Sequence, residues 1–215
     1  MVEKKDNMIK DAIILCAITL VLGAILAGVY MVTKAPIEEA QKQANNEACA
    51  AVVAEGDKVL DANADALAKV TEYLKTHGLA SEETGEEISL IKHVEVSEVH
   101  PTEQGGYVFL ATAKKGYGGD ISFALGVDAG GVITGISITS QAETAGLGAN
   151  CMDEAWQKSF VGKTTPAKPA DNMYNKVAAT DTQIQALSGA TVTTKAIANA
   201  VKGILFSINA ARGAN

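Results

Sequence analysis

Cysteine and histidine are scarce in this sequence of 215 residues, which contains three of each. The cysteines, Cys16, Cys49 and Cys151, form no CxxC pair and no other spacing typical of metal ligands, and the histidines are scattered. The pattern therefore predicts no metal site. A disulfide between Cys49 and Cys151 and a pair of free thiols are equally compatible with the sequence.

The sequence also lacks the usual loops and residue sets of catalytic sites. Gly162-Lys163-Thr164 has the ending of a phosphate loop, but Gln157 occupies the position of the first glycine. The glycines at 116, 118 and 119 do not follow a strand and open a helix, so they are no dinucleotide fingerprint. No spacing of serine, cysteine and histidine indicates a nucleophile, and no catalytic residue is predicted.

An excess of basic residues is absent as well, since the formal net charge is −7. Residues 1–11 contain three lysines and three acidic residues, so the negative charge belongs to the rest of the chain. An acidic surface argues against nucleic acid or an anionic bilayer as the main partner.

Residues 12–33 contain no charged residue. At about 1.5 Å per residue, a helix of this length crosses the ~30 Å hydrocarbon core of a bilayer. A cleaved signal peptide is the alternative, but the apolar cores of signal peptides usually run to about 7–15 residues, and no small-residue cleavage site follows. We therefore predict a retained transmembrane helix over residues 12–33.

The lysines that flank this span predict its orientation. Three lysines precede it, whereas Lys34 and Lys42 are the only ones in the next twenty or so residues. Cytoplasmic flanks carry more positive charge than external ones. This bias predicts a single-pass protein of the cytoplasmic membrane, with residues 1–11 inside and the main domain extracytoplasmic.

Two further regions follow the span. Residues 34–84 are rich in Ala, Glu, Lys and Gln, with Pro36 near the start, and this composition predicts a helical membrane-proximal segment. The periodicity changes after it. Residues 85–215 carry strand patterns followed by helical patterns, which predicts an α+β domain with a small antiparallel sheet and packed helices.

A β-hairpin is predicted from the alternation of apolar residues. The first strand places these residues on one face: Ile121, Phe123, Leu125 and Val127. After a turn at residues 128–131, the second strand is predicted to place these on another face: Val132, Thr134, Ile136 and Ile138. Strands over residues 106–113 and 88–99 would complete the sheet.

Helical spacing returns after the hairpin. Trp156 and Phe160 are four residues apart, which places both on one side of a helix and indicates core packing. The last helix carries an apolar stripe that consists of Val192, Ile197, Val201, Ile204, Leu205 and Ile208. We expect this stripe to pack on the sheet.

The start of the last helix has an unusual composition, because small residues at 188–190 lead directly into three threonines at 191, 193 and 194. One interpretation is structural: a hydroxyl at Ser188 or Thr191 would cap the helix, worth about 1 kcal/mol, and Gly189 would suit a tight turn. The other is functional. Free N–H groups and the positive end of the helix dipole bind a phosphate, which a threonine hydroxyl could esterify.

Several motifs in order resemble one family. Ser188-Gly189-Ala190-Thr191, followed by Val192-Thr193-Thr194, is similar to the flavinylation motif of FMN-binding domains in the G subunits of Rnf electron-transport complexes and the related C subunits of sodium-pumping NADH:quinone reductases. The sequence ETAGLG at 143–148 resembles the family's ETPGLG signature, and FVGK at 160–163 resembles the stretch that follows it. GYGGD at 116–120 is also similar. The likeness extends over about residues 105–210.

The resemblance implies a covalent cofactor. FMN would be joined through its phosphate to Thr191, with the attachment motif completed by Ser188, Gly189, Ala190, Thr193 and Thr194. Further cofactor contacts are implied at Glu143, Thr144, Leu147 and Gly148. A separate flavin transferase would use FAD for the attachment, so Thr191 would be an acceptor and not a catalytic nucleophile. Two positions depart from the family pattern, since Gln185 replaces an acidic residue and Ala145 replaces the proline of the signature.

The implied function is electron transfer within a larger enzyme. The chain would be a membrane-anchored flavoprotein subunit of an Rnf-type ferredoxin:NAD⁺ oxidoreductase that exports Na⁺ or H⁺. Its partners would be the integral membrane and peripheral subunits of that complex. Alternatives are the C subunit of a Na⁺-translocating NADH:quinone reductase, a stand-alone extracytoplasmic flavinylated protein, and a membrane-tethered binding module without redox activity.

Overall fold

The computed structural model describes residues 3–80, 87–168 and 171–212. The chain divides into two compact units, which comprise residues 1–44 and residues 45–215. The predicted transmembrane span and the predicted sheet therefore lie in different units.

The N-terminal helix, α1 (Glu3–Ala51), is 49 residues long. Where this helix lies in the first unit, its large apolar side chains are exposed. The helix has the length and apolarity needed to cross a membrane. The predicted span over residues 12–33 lies within it. The helix also continues without a break through Pro36. Because the φ angle of proline is close to the helical value, the helix loses one hydrogen bond there without having to end.

A four-stranded antiparallel sheet forms the centre of the second unit. Its strands lie in sequence order: β3 (Val94–Pro101), β4 (Tyr107–Ala113), β5 (Ile121–Val127) and β6 (Ile133–Ser140). The predicted hairpin is confirmed as β5 and β6, and the strand predicted over residues 106–113 is confirmed as β4. The predicted α+β fold is therefore the observed one.

The strand predicted over residues 88–99 is divided into two pieces. The two short strands β1 (Gly78–Ala80) and β2 (Glu87–Ser89) pair with each other, and a 3₁₀ turn at Leu90–Lys92 separates β2 from β3. Alternation of residue types could not locate this break, because the turn keeps Leu90 buried like a strand residue.

The turn of the hairpin forms through the side chain of Asp128. Its Oδ1 atom accepts hydrogen bonds from the N–H groups of Gly130 at 2.8 Å and Val132 at 2.9 Å. Gly131 has φ +86°, a left-handed conformation that glycine adopts readily. An aspartate that binds the backbone two residues ahead is typical of tight turns.

The predicted second face of the hairpin was partly wrong. Val127 pairs with Ile133 and Gly126 pairs with Gly135, so Thr134 is an extra residue in a β-bulge. The bulge reverses the alternation at that point. Ile133 therefore packs with Ile136 and Ile138 in the main hydrophobic core, which lies between one face of the sheet and the helices. Val132 and Thr134 are only half-buried.

The main core lies between one face of the sheet and two helices. Helix α2 (Ala64–Thr76) is capped by Asn63, whose side chain accepts the N–H of Ala66 at 3.0 Å. Helix α4 (Thr191–Arg212) packs against α2 and places the predicted stripe in the core, except for Val192, which is exposed. Residues 45–80, which were predicted to be part of a membrane-proximal segment, thus belong to the same compact unit as the sheet.

Short elements complete this unit. Helix α3 (Glu154–Lys158) carries Trp156, whereas Phe160 lies in the turn that follows the helix. The two rings still pack edge to face, with centroids 5.1 Å apart. Phe160 is fully buried, as core packing requires. Two parallel two-residue strands, β7 (Tyr174–Asn175) and β8 (Ile184–Gln185), precede α4.

The opposite face of the sheet receives the chain segment that ends α1. Ala48, Cys49 and Val52 form a second apolar cluster there. The hydroxyl of Thr134 donates to the carbonyl oxygen of Val52 at 2.6 Å. A side chain at Gly126 would collide with that oxygen, so the absence of a Cβ atom permits this close approach.

The cysteines of the second unit are free thiols. Cys49 belongs to the cluster on one face of the sheet and Cys151 to the main core on the other, so a disulfide between them is excluded. Burial, followed by the negative charge of Glu98 for Cys49 and of Glu143 for Cys151, raises the pKa of each thiol to about 11.

Gly126→Ala is expected to lower the free energy of unfolding by about 1–3 kcal/mol, because the new Cβ atom overlaps the backbone of Val52. Urea unfolding of the detergent-solubilised full chain, followed by circular dichroism, measures this. Gly130→Ala is the matched control, since the atoms nearest to its Cβ atom would belong to the side chain of Asp128, at 3.2 Å or more, and not to the backbone. Equal stability of the two variants would contradict the close approach.

Both buried thiols should resist alkylation in the native protein. In a Cys16→Ser background at pH 8, a thiol with a pKa of about 11 is ionised in only about one molecule in a thousand. Mass spectrometry after iodoacetamide treatment should find Cys49 and Cys151 unmodified in the folded chain and modified in denaturant. Rapid labelling without denaturant would show that these thiols are not buried as described.

Candidate functional site

The second unit contains a cavity of about 430 Å³ at the start of α4. Its lining residues are Tyr117, Glu143, Thr144, Leu147, Gly148, Gly189, Ala190, Thr191, Val192 and Thr193. Two segments that lie more than forty residues apart in the sequence, 143–148 and 189–193, therefore meet in one place. Eight of the ten residues predicted as a site line this cavity, and the exceptions are Ser188 and Thr194.

The helix begins without a hydroxyl cap. Ala190 is the residue whose carbonyl oxygen accepts the first helical hydrogen bond, from the N–H of Thr194 at 3.1 Å. Neither Ser188 nor Thr191 occupies that position. Within the part of the chain that the structure describes, the N–H groups of residues 191–193 have no acceptor. Such a helix end carries a positive partial charge and is suited to an anion.

The three threonines of the motif have different environments. Thr194 is fully buried, where its hydroxyl accepts the N–H of Leu187 at 3.0 Å and donates to the carbonyl oxygen of Ala190 at 3.0 Å. Thr193 is also buried and donates to the Oε2 atom of Glu143 at 2.6 Å. Thr191 is half-buried and lines the cavity. Of these hydroxyls, that of Thr191 is the accessible one.

Glu143 is a carboxylate with only 8% of its surface exposed. Its Oε2 atom accepts the hydroxyl of Thr193, and its Oε1 atom accepts the N–H of Gly118 at 2.9 Å. No lysine or arginine forms an ion pair with it among the described residues. The hydrogen bonds thus offset the cost of burying the group. They also connect the loop between β4 and β5 to the first turn of α4.

Two glycines of the motifs are required by close packing. A Cβ atom on Gly148 would collide with the Glu143 carboxylate and would lie 2.6 Å from the hydroxyl oxygen of Thr193. Gly189 has φ +70°, and a Cβ atom there would lie 2.9 Å from a methyl carbon of Leu147. Both glycines therefore allow the two lining segments to pack directly against each other.

Sequence reasoning noted the glycine-rich stretch 116–120 but did not assign Tyr117 to the site. Its side chain lines the cavity because the loop between β4 and β5 folds over residues 142–143. The available signal was an aromatic residue between glycines in a loop. Gln185, which replaces an acidic family residue, lies outside the lining of the cavity. Its backbone carbonyl oxygen accepts the indole N–H of Trp156 at 3.0 Å.

Two family descriptions match this chain. The FMN-binding domain matches residues 116–205, and the RnfG N-terminal region matches residues 1–52. The first match contains every lining residue of the cavity, and the second contains α1.

Curated relatives match over most of the chain. The G subunit of the Na⁺-translocating ferredoxin:NAD⁺ oxidoreductase complex of Acetobacterium woodii is 30% identical, over 89% of this chain and 87% of that protein. The G subunit of the proton-translocating ferredoxin:NAD⁺ oxidoreductase complex of Clostridium ljungdahlii is 29% identical, over 93% of this chain and 91% of that protein.

Two solved structures are also similar. NqrC of Shewanella oneidensis gives a TM-score of 0.45 at 21% identity, over 54% of this chain and 62% of that chain. The C subunit of the Na⁺-translocating NADH-quinone reductase of Parabacteroides distasonis gives a TM-score of 0.39 at 18% identity, over 69% of this chain and 92% of that chain.

The match to the FMN-binding domain, together with the apolar helix and the relatives from membrane complexes, defines a class of protein, namely a membrane-anchored protein with an FMN-binding domain. Within that class, the extent of the similarity to the Acetobacterium protein identifies the family. The chain belongs to the family of G subunits of Rnf-type ion-translocating oxidoreductase complexes.

Thr193→Val is expected to lower the free energy of unfolding by about 1–3 kcal/mol, because it leaves a buried carboxylate oxygen of Glu143 without its donor. Urea unfolding followed by circular dichroism measures the change. Thr165→Val is the control, since that hydroxyl makes only a 3.5 Å contact with the carbonyl oxygen of Leu205. If the two variants lose the same stability, the bond to Glu143 contributes nothing specific.

Proposed function

We propose that this chain is the membrane-anchored flavoprotein subunit of an Rnf-type ferredoxin:NAD⁺ oxidoreductase, in which it relays electrons between redox centres. The observation that carries the proposal is the meeting of segments 143–148 and 189–193 in one cavity. The similarity to G subunits of Na⁺- and H⁺-translocating complexes over most of the chain supports the choice of complex.

The residues of the cavity fit a covalently attached FMN. Thr191 offers an accessible hydroxyl at the start of a long helix whose first N–H groups lack acceptors among the described residues. These N–H groups would hold the phosphate, and Gly189 and Ala190 would let it approach the backbone. Because Thr193 and Thr194 use their hydroxyls in buried hydrogen bonds, Thr191 is the favoured acceptor.

The attachment itself is a phosphoryl transfer by a separate flavin transferase. Thr191 would supply the hydroxyl oxygen that bonds to the FMN phosphorus of FAD, with AMP as the leaving group and the hydroxyl proton released to water. Covalent attachment makes occupancy independent of affinity, which matters outside the cytoplasm, where free flavin is scarce. When bound, the flavin would supply the electron-transfer chemistry.

The protein residues position this group. Glu143 connects the two walls of the cavity through its bonds to Gly118 and Thr193. Thr144, Leu147 and Gly148 would line the flavin. The residues hold and orient the cofactor, and none of them is assigned a catalytic step.

The proposed placement follows the charge bias of the flanks. Residues 1–11 lie in the cytoplasm, residues 12–33 cross the cytoplasmic membrane, and the compact unit that starts at residue 45 and contains the FMN-binding domain lies outside the cytoplasm. Integral membrane and peripheral subunits of the complex are the partners. Nucleic acid is no partner, in keeping with the net charge of −7.

Thr191→Val should abolish covalent FMN, because valine has the shape of threonine without the nucleophilic oxygen. Thr191→Ser should retain it. The measurements are flavin fluorescence of the denatured protein band and the mass of the peptide that contains residue 191, in protein produced in its native host. The expected added mass is that of FMN less one water.

Thr165→Val is the matched control, since it makes the same substitution outside the attachment motif and should leave the modification intact. An unmodified Thr191 in protein from the native host would count against covalent attachment. Modification at residue 188 instead of 191 would show that the wrong hydroxyl had been assigned.

A further inference from the structure

The second unit contains another cavity, of about 520 Å³, which shares no lining residue with the cavity at the start of α4. It is lined by residues between 46 and 53, by residues 57–61 and by His100 of β3. Its walls therefore come from the end of α1, from the segment that follows this helix, and from the first strand of the four-stranded sheet.

The segment that follows α1 is attached to the outer edge of β3. Leu60 donates its N–H to the carbonyl oxygen of Pro101 at 2.9 Å, and Asn63 donates its N–H to that of Val99 at 2.8 Å. These bonds cover a strand edge that would otherwise present its N–H and C=O groups to water. Residues 57–63 are therefore called the edge segment.

His100 connects the edge segment to β3 through both nitrogens of its ring. Its Nδ1 atom lies 3.0 Å from the carbonyl oxygen of Leu60, and its Nε2 atom lies 2.9 Å from the Oε2 atom of Glu98. Both oxygens are acceptors, since Glu98, whose side chain is 48% exposed, is a carboxylate near neutral pH. A neutral imidazole has only one N–H, whereas two acceptors need two. The arrangement is therefore that of the positively charged ring.

Titratable groups from the neighbouring elements also line this cavity. The edge segment and the end of α1 contribute Asp57, Lys58, Asp61 and Cys49. The thiol of Cys49 stays uncharged, because burial, followed by the negative charge of Glu98, raises its pKa to about 11. Among the groups of the lining, an imidazole is the one whose charge ordinarily changes between about pH 5 and pH 8.

We propose that His100 is a pH-dependent contact that holds the edge segment, and with it one wall of this cavity, against β3. The charged ring donates to both acceptors. When the ring releases one proton to water, the remaining proton stays on Nε2, because a hydrogen bond to a carboxylate is stronger than one to a carbonyl oxygen. Nδ1 then presents a lone pair to the oxygen of Leu60, and this contact is lost.

The expected consequence is a change in the attachment of the edge segment with pH. The contact is present in acid, where the ring is charged, and it is lost as the pH rises. The edge segment then loosens from β3 and the cavity widens. This behaviour needs no flavin, because the residues concerned lie outside the cavity at the start of α4.

Hydrogen exchange of the detergent-solubilised full chain, measured by mass spectrometry, tests the contact. Peptides that cover residues 58–63 should exchange severalfold more slowly at about pH 5.5 than at about pH 8.5, after correction for the intrinsic pH dependence of exchange. A peptide that covers β4 is the internal reference, and its corrected exchange should be equal at both pH values. In His100→Ala, the edge segment should exchange rapidly at both.

Glu98→Gln tests the need for a charged ring. Glutamine has nearly the same shape as glutamate, and its amide can donate to Nε2. A neutral ring can then still donate from Nδ1 to Leu60, so slow exchange of the edge segment should persist at about pH 8.5.

His77→Ala is the control matched to His100→Ala. The contacts of His77 with Tyr73 and Thr76 are both made by Nδ1, and they lie outside the edge segment. This variant should leave the difference between the two pH values unchanged.

Three results would overturn the inference. The first is equal corrected exchange of the edge segment at the two pH values in the unmodified chain. The second is a pH difference that persists in His100→Ala, because another group would then be its source. The third is a full pH difference in Glu98→Gln, because the two acceptors would then not be the reason for the charged ring.

Discussion

The site depends on one buried carboxylate. Glu143 is almost entirely removed from water, where a negative charge without partners would be strongly destabilising. The N–H of Gly118 and the hydroxyl of Thr193 provide those partners, and they come from positions 25 residues before and 50 residues after it. The Glu143 carboxylate is stable in the interior only while both hydrogen bonds are kept. These bonds therefore fix one arrangement of three segments: the loop at 116–120, residues 143–148 and the start of α4. Gly148 is part of the same constraint, since any side chain there would occupy the space of these groups.

This arrangement also distinguishes hydroxyls that are chemically alike. Thr193 binds the carboxylate, and Thr194 binds the chain just before the helix, so both are buried and occupied. Thr191, at the first position of the helix, lines the cavity beside N–H groups that have no acceptor within the described residues. Selection of one threonine for modification would therefore follow from burial and hydrogen bonding, in addition to whatever the transferase recognises in the sequence.

Much of the fold could be predicted from local patterns. The uncharged run over 12–33 indicated an apolar helix, and the alternation from Ile121 onward indicated a hairpin, because helix and strand have different side-chain periods. The errors occur where one residue changes the period. Thr134 adds a bulge, and the 3₁₀ turn at Leu90–Lys92 divides a predicted strand. Neither feature changes the residue types enough to be visible in a sequence window.

The sequence by itself determined which segments are apolar, which are helical or extended, and which motifs place this chain in its family. Only the tertiary structure decided that segments 143–148 and 189–193 line one cavity and that Tyr117 joins them. It also placed Cys49 and Cys151 on opposite faces of the sheet, which a list of cysteines could not do. The reason is physical: periodicity reports contacts between residues close in the chain, whereas the Glu143 hydrogen bonds and the glycine contacts join residues far apart in it.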